Sequence, residues 1–189
     1  MKKLIVATSN SGKLKEMQEY LTGLDWELHL KPDNLIIEET GTTFIENAII
    51  KASQVAKALR EWAIADDSGL MVDALNGAPG LYSARYGTTD TERIERLLTQ
   101  LGDNQKRQAQ FVCAIAIARP DGSIALKSEG ICQGEILASP RGKGGFGYDP
   151  IFYVPQQQQT FAQMPPEVKQ TISHRGQAFA TLLPQLSRL

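Results

Sequence analysis

The sequence has few cysteines, few histidines and no long apolar run, and each shortage excludes a class of protein. Cys113 and Cys132 are the only cysteines; they lie in apolar segments, without a CxxC partner or a cluster of histidines. A disulfide framework and a zinc site are therefore excluded. We expect a reducing, cytoplasmic compartment.

Apolar runs are too short for a signal peptide or a membrane span. The run that begins after Lys3 ends at Thr8, short of the roughly 7–15 apolar residues of a signal peptide. Elsewhere no run approaches the about 20 residues of a membrane-spanning helix. We therefore expect neither a targeting segment nor a membrane partner.

An excess of charge of either sign is also missing. The chain has 20 Lys and Arg against 21 Asp and Glu, a formal net charge of −1. Long nucleic acids and anionic membranes are bound by proteins with a basic surplus, so we expect neither as a partner. The 189 residues, 42% of them hydrophobic, suffice for a sizeable core. We expect one domain over residues 1–189, with two lobes and no separable linker.

The apolar spacing predicts an α/β fold. It indicates helices after residue 12, over 42–61, over 90–101 and from about 174 to the end, and strands over 3–8, 26–30, 62–65, 111–118, 123–137 and 151–154. Helices and strands alternate early, whereas a hairpin dominates later. A mixed sheet with flanking helices is therefore expected instead of a purely parallel Rossmann sheet.

The first candidate site is a polar loop between the first strand and the first helix. Its residues are Thr8, Ser9, Asn10, Ser11, Gly12 and Lys13. Free N–H groups at a helix start, together with a lysine, can bind phosphate. It is not a Walker A loop, because Ala7 and Leu14 replace the required glycine and hydroxyl residue. The alternative is an ordinary N-cap.

Carboxylates form the second candidate. Asp66 and Asp67 follow a predicted buried strand, and Glu38 and Glu39 lie upstream. Carboxylates can hold Mg²⁺, and one of them can accept a proton from water. Adjacent strand residues point to opposite faces, so one aspartate of the pair is expected to face the site. The alternative is a simple turn over residues 66–69.

A glycine-rich loop is the third candidate. Residues 142–147 match GxGxxG, but prolines bracket the loop, and no HRD or DFG segment exists, so Rossmann and kinase functions are excluded. We expect the loop to expose Phe146 and Tyr148 for stacking on a base, with Asp149 beside them. The alternative is that these aromatic rings pack under the sheet.

Hydrogen-bond donors before the last helix are the fourth candidate. Lys169, Ser173, His174 and Arg175 can bind a carbonyl oxygen or a phosphate. His29, on an alternating strand, is expected to be structural.

Taken together, these segments resemble the inosine/xanthosine triphosphate pyrophosphatase family. The resemblance covers nearly the whole chain and depends on the joint order and spacing of residues 7–13, 38–48, 65–70, 77–86, 144–150 and 173–175. It implies an elongated α/β fold with a long curved mixed β-sheet, flanking helices, two lobes with a central cleft, and a homodimer. It also implies Mg²⁺-dependent hydrolysis of dITP, ITP and XTP at the α-phosphorus, releasing the nucleoside monophosphate and pyrophosphate.

The resemblance also implies roles for individual residues. Glu38 and Asp67 match the magnesium ligands, and Asp67 also matches the proton acceptor. The loop from Thr8 to Lys13 matches the triphosphate site, and Ser68 matches a substrate contact. The purine contacts would be Phe146, Gly147, Tyr148 and Asp149, with Lys169, His174 and Arg175 completing the base pocket.

Donors from His174 and Arg175 would favour a 6-oxo purine over adenine, because an unpaired buried donor costs about 1–3 kcal/mol. The alternative function is a non-catalytic nucleotide- or RNA-binding module that uses the Phe146 loop. The acidic residues argue against it, since carboxylates near phosphates are of use only with a metal between them.

Overall fold

A computed structural model describes all 189 residues as a mixed sheet with five α-helices. The strands are β1 (Lys2–Val6), β2 (Trp26–Leu30), β3 (Trp62–Val72), β4 (Gln108–Ala118), β5 (Ile124–Ile136), β6 (Phe152–Val154) and β7 (Gln159–Thr160). The helices are α1 (Ser11–Leu21), α2 (Phe44–Leu59), α3 (Asp90–Leu101), α4 (Pro166–Ile172) and α5 (His174–Leu186). No helix is long and apolar enough to cross a membrane.

The seven strands form one sheet in the order β2-β1-β3-β4-β5-β6-β7. β1 pairs in parallel with β2 and β3, with Leu4 opposite Leu28 and Trp62. β6 pairs antiparallel with β5 and β7. The predicted mixed α/β sheet is therefore confirmed.

The structure differs from the prediction where charge interrupts an apolar run. A turn was expected over residues 66–69, but β3 continues unbroken from Trp62 to Val72. Asp66 and Asp67 lie mid-strand and are buried, 0% and 5% exposed. Charge can stay inside a strand when partners from other elements neutralise it, and strand periodicity does not reveal those partners.

Two short elements were not predicted. α4 has seven residues and β7 has two, and β7 includes Gln159 from a glutamine run that was interpreted as loop. Elements this short do not show a full period of apolar residues.

The first compact unit comprises residues 1–67, 113–130 and 175–189. It has two apolar clusters. One contains Ile64 with side chains from α1 and α5, and the other contains Ala63 and Ala65 with side chains from α2. Alternate residues of β3 therefore face different helices, as the two-residue period of a strand requires.

The second compact unit comprises residues 68–112 and 131–174. Its apolar cluster joins Leu70, Leu97, Phe111, Phe152 and Phe161. The glycine-rich loop, α3 and α4 belong to this unit.

Candidate active site

In the first unit, the polar loop after β1 is capped by one of its own residues. Asn10 is the N-cap of α1, and its Oδ1 accepts from the Lys13 N–H at 3.1 Å. Thr8 Oγ1 accepts from the Asn10 N–H at 3.1 Å, and Ser9 and Ser11 are exposed. Capping thus orders the loop and leaves the Lys13 side chain to act elsewhere.

That side chain is part of a buried ion network centred on Asp66. Lys13 Nζ lies 3.1 Å from Asp66 Oδ2, and Arg175 Nη2 lies 2.9 Å from the same oxygen. Arg175 Nη1 lies 2.5 Å from Glu16 Oε2. Arg175 is 1% exposed, so both of its carboxylate partners lie within the fold.

The network keeps Asp66 ionised. Burial disfavours the charged carboxylate, but Lys13, Arg175 and Lys51 outweigh burial and hold the pKa of Asp66 well below its usual range. Asp66 Oδ1 is buried and accepts no hydrogen bond from a protein group. One carboxylate oxygen in the interior therefore has an unused acceptor site.

Asp67 has the opposite electrostatic setting. Its Oδ2 accepts from Asn47 Nδ2 at 3.0 Å. Burial raises the pKa of Asp67, and the charge of Lys51 and the Asn47 hydrogen bond only partly oppose this effect. A carboxylate with a raised pKa is a better proton acceptor than an ordinary aspartate.

Lys51 lies among three acidic residues. Its Nζ is 3.0 Å from Glu39 Oε1. Burial lowers the pKa of Lys51, but the charges of Asp66, Asp67 and Glu39 outweigh burial, so the pKa of Lys51 is raised and the ammonium stays charged. The predicted division of the aspartates is confirmed: Asp66 bonds to α1 and α5, and Asp67 bonds to α2.

The donor set of this unit fits a hard cation. Asp67 and Glu39 are close enough for the charge of Glu39 to raise the pKa of Asp67, whereas Glu38 is exposed. No group of three or more His, Cys, Asp or Glu side chains is arranged to hold a metal by itself. Mg²⁺ fits such a set, because it usually takes one or two carboxylates plus waters and substrate phosphates.

In the second unit, the glycine-rich loop is tied down around Phe146. The Phe146 N–H donates to Asp149 Oδ2 at 3.1 Å, and Lys169 Nζ lies 2.7 Å from the same oxygen. Lys169 Nζ is also 4.9 Å from the centre of the Phe146 ring. Phe146 is half-buried, so part of its ring remains available for stacking.

Tyr148 follows the alternative that its ring packs inside. It is 4% exposed and belongs to the apolar cluster of this unit. Its hydroxyl donates to the Ser83 carbonyl at 2.7 Å, and burial raises its pKa. Tyr148 therefore anchors the loop, and Phe146 is its exposed aromatic residue.

The predicted group of donors at residues 169–175 divides between the two units. His174 is buried and stacks on Phe111, with centroids 4.6 Å apart and ring planes 12° apart. Lys169 and His174 thus accompany the aromatic residues of the second unit. Arg175, the next residue, belongs to the Asp66 network of the first unit. Ser68 is half-buried in β3.

Several residues of these sites were not found from the sequence. Glu16, Asn47, Lys51, Ser83 and Asp90 carry no motif, although the spacing of Asn47 and Lys51 places them on one side of α2. Only their three-dimensional partners identify them, since polar residues are ordinary at any of these positions.

Known proteins resemble this chain over nearly all of its length. Residues 4–185 match the model of the Ham1 family. A dITP/XTP pyrophosphatase of Nostoc sp. is 68% identical, with 98% of this chain and 95% of that protein covered. One of Synechocystis sp. is 63% identical, with the same coverage.

Solved structures give the same result. A HAM1 protein of Coxiella burnetii superposes with a TM-score of 0.89 at 47% identity, with 100% of both chains covered. The Ham1 protein of Staphylococcus aureus superposes with a TM-score of 0.88 at 44% identity, with 99% of both chains covered.

Proposed function

This chain belongs to the Ham1 family, and we propose that it hydrolyses non-standard purine nucleoside triphosphates such as dITP, ITP and XTP to the nucleoside monophosphate and pyrophosphate. The resemblance to inosine/xanthosine triphosphate pyrophosphatases is thus confirmed at the level of family. The observation that carries the chemistry is Asp67, a buried carboxylate with a raised pKa, in contact with Asn47 and within the field of Lys51.

We assign the phosphate chemistry to the first unit. Lys13 and Lys51 supply positive charge for a triphosphate, and the N-terminus of α1 supplies backbone donors. Asp67 accepts a proton from water while the water oxygen forms a bond to the α-phosphorus. The bond between the α-phosphorus and the bridging oxygen breaks, and pyrophosphate leaves with that electron pair. This step removes both phosphates at once and needs no covalent enzyme intermediate.

Magnesium is proposed as the cofactor, held by Glu38 and Asp67, with Glu39 as a further candidate because its charge acts on Asp67. Bound there, it would neutralise phosphate charge and stabilise the leaving pyrophosphate. The donor chemistry supports this proposal, since all three residues offer hard oxygen ligands.

Base recognition is assigned to the second unit. Phe146 offers a ring face, while Lys169 and His174 offer donors that suit a 6-oxo purine better than the 6-amino group of adenine. We propose that Arg175 acts on Asp66 and not on the base, because its guanidinium is already bonded to Asp66 and Glu16.

A homodimer in the cytoplasm is also proposed. The family resemblance supports the dimer, and the two buried free cysteines suit a reducing compartment. Light scattering after size exclusion tests the dimer, since it would give twice the 20.8 kDa of one chain.

The deciding experiment measures pyrophosphate release from dITP, ITP, XTP, GTP and ATP, with Mg²⁺ or with EDTA. Wild type is expected to prefer the non-standard purines and to lose activity in EDTA. Asp67→Asn should lower kcat by about 10²–10⁴-fold, as loss of a general base does. Asp33→Asn removes an exposed carboxylate and is the control.

Three results would change the proposal. Release of inorganic phosphate would move the attack to the γ-phosphorus. Equal turnover of ITP and GTP would remove the substrate assignment, and full activity of Asp67→Asn would remove the role of Asp67.

A further inference from the structure

The glycine-rich loop receives a hydrogen bond from a residue that no motif marks. Asp90, the first residue of α3, accepts from the Gly147 N–H through Oδ2 at 2.9 Å. Its other oxygen, Oδ1, accepts from Arg93 Nη1 at 2.7 Å. Arg93 Nε in turn donates to the Ala84 carbonyl at 2.9 Å. Both carboxylate oxygens of Asp90 are therefore directed by the fold.

Resting on the function proposed above, we propose that Asp90 is a positioning residue for base recognition: it holds the backbone beside Phe146 and so sets the orientation of the Phe146 ring. Asp90 itself need not contact the nucleotide. Its effect on the substrate passes through the Gly147 N–H.

Two carboxylates hold consecutive N–H groups of the loop. Asp149 accepts from the Phe146 N–H, and Asp90 accepts from the Gly147 N–H. The following residue, Tyr148, is anchored by its hydroxyl on the Ser83 carbonyl. The backbone on both sides of the Phe146 ring is thereby fixed, whereas glycines at 142, 144, 145 and 147 would otherwise leave it mobile.

Capping of α3 does not require the Asp90 side chain. Thr89 is the N-cap, and Thr89 and Glu92 form a complete capping box. The Asp90 carboxylate reaches residue 147, which is 57 positions further along the chain. A role in the loop therefore accounts for its geometry better than a role in the helix.

The test compares Asp90→Ala with Glu95→Ala, which removes an exposed carboxylate from the same helix. Asp90→Ala should raise KM for ITP about tenfold, the equivalent of one hydrogen bond to a charged group, while kcat stays within about twofold. Preference for ITP over GTP should fall. Asp90→Asn keeps an oxygen acceptor for the Gly147 N–H and should restore most of the affinity.

A double-mutant cycle with Phe146→Ala tests the route. If Asp90 acts through the Phe146 loop, the two changes together should raise KM little more than Phe146→Ala alone. Independent, multiplying effects would overturn the proposal. So would an Asp90→Ala variant that behaves like Glu95→Ala, or one that lowers kcat and leaves KM unchanged.

Hydrogen exchange separates this inference from the proposed function. Wild type without pyrophosphatase activity would overturn the function alone. Asp90 would still be tested by exchange of the Gly147 amide, which should be faster in Asp90→Ala than in Glu95→Ala. Equal exchange in the two variants would overturn the role of Asp90.

Discussion

At the scale of single residues, Arg175 shows how burial changes the meaning of a charge. The sequence places it beside His174 as a possible donor to a base, but its guanidinium is 1% exposed and bonded to Asp66 and Glu16. Taking three charges out of water is costly, and their mutual attraction must offset that cost. Removal of the central charge therefore leaves two buried carboxylates without their main partner.

We predict that Arg175→Leu lowers the free energy of unfolding by about 3–5 kcal/mol, as expected when one member of a buried ion network is removed. Urea unfolding followed by circular dichroism measures the change. Arg188→Leu, at an exposed position, should change stability by less than about 0.5 kcal/mol. An Arg175→Leu variant as stable as this control would contradict the proposed role of the network.

At the scale of elements, length and periodicity decided what was predictable. α2 and α3 were identified from the sequence because each carries an apolar stripe over three turns or more. β3 was predicted in two pieces, because two adjacent charges resemble a turn when their partners are unknown. α4 and the packing of Tyr148 were not predictable, since both depend on neighbours that are distant in sequence.

The glycine-rich loop offers a matched pair of substitutions. Gly145 has φ +69° and Gly147 has φ +61°, a conformation that costs other residues about 1–2 kcal/mol. At Gly145 an added Cβ would also overlap the Asp149 carboxylate, whereas at Gly147 it would meet open space. The two positions thus share the backbone strain and differ in the clash.

Gly145→Ala should therefore raise KM for ITP by more than about tenfold, because displacement of Asp149 breaks its bonds to Lys169 and Phe146. Gly147→Ala should have a smaller effect. Steady-state kinetics on ITP give the comparison, and circular dichroism confirms that both variants fold. Equal KM values for the two variants would show that Asp149 does not order the loop.

At the scale of the whole molecule, the near balance of 20 basic and 21 acidic residues conceals a sorted arrangement. Lys13, Lys51 and Arg175 gather around Asp66 and its neighbours, so positive charge is local and already partly neutralised. A long polyanion needs many phosphate contacts over a wide basic surface. A short triphosphate needs only a few, and a divalent cation can complete them.

The protein is accordingly expected not to bind a 30-nucleotide single-stranded RNA, with no change in fluorescence anisotropy at about 50 mM salt, where phosphate contacts are strong. ITP under the same conditions, with Asp67→Asn to prevent turnover, should bind. Salt-dependent RNA binding with no nucleotide hydrolysis would instead favour a nucleic-acid-binding module.

The sequence by itself determined the class of fold, the family and most of the segments that carry the chemistry, because these depend on local periodicity and on motifs of fixed spacing. Tertiary structure alone decided the partners. It placed Arg175 on Asp66, Lys51 on Glu39, Asn47 on Asp67 and Asp90 on Gly147. Such contacts join residues far apart in the chain, and burial and charge at those contacts set the chemistry of each carboxylate.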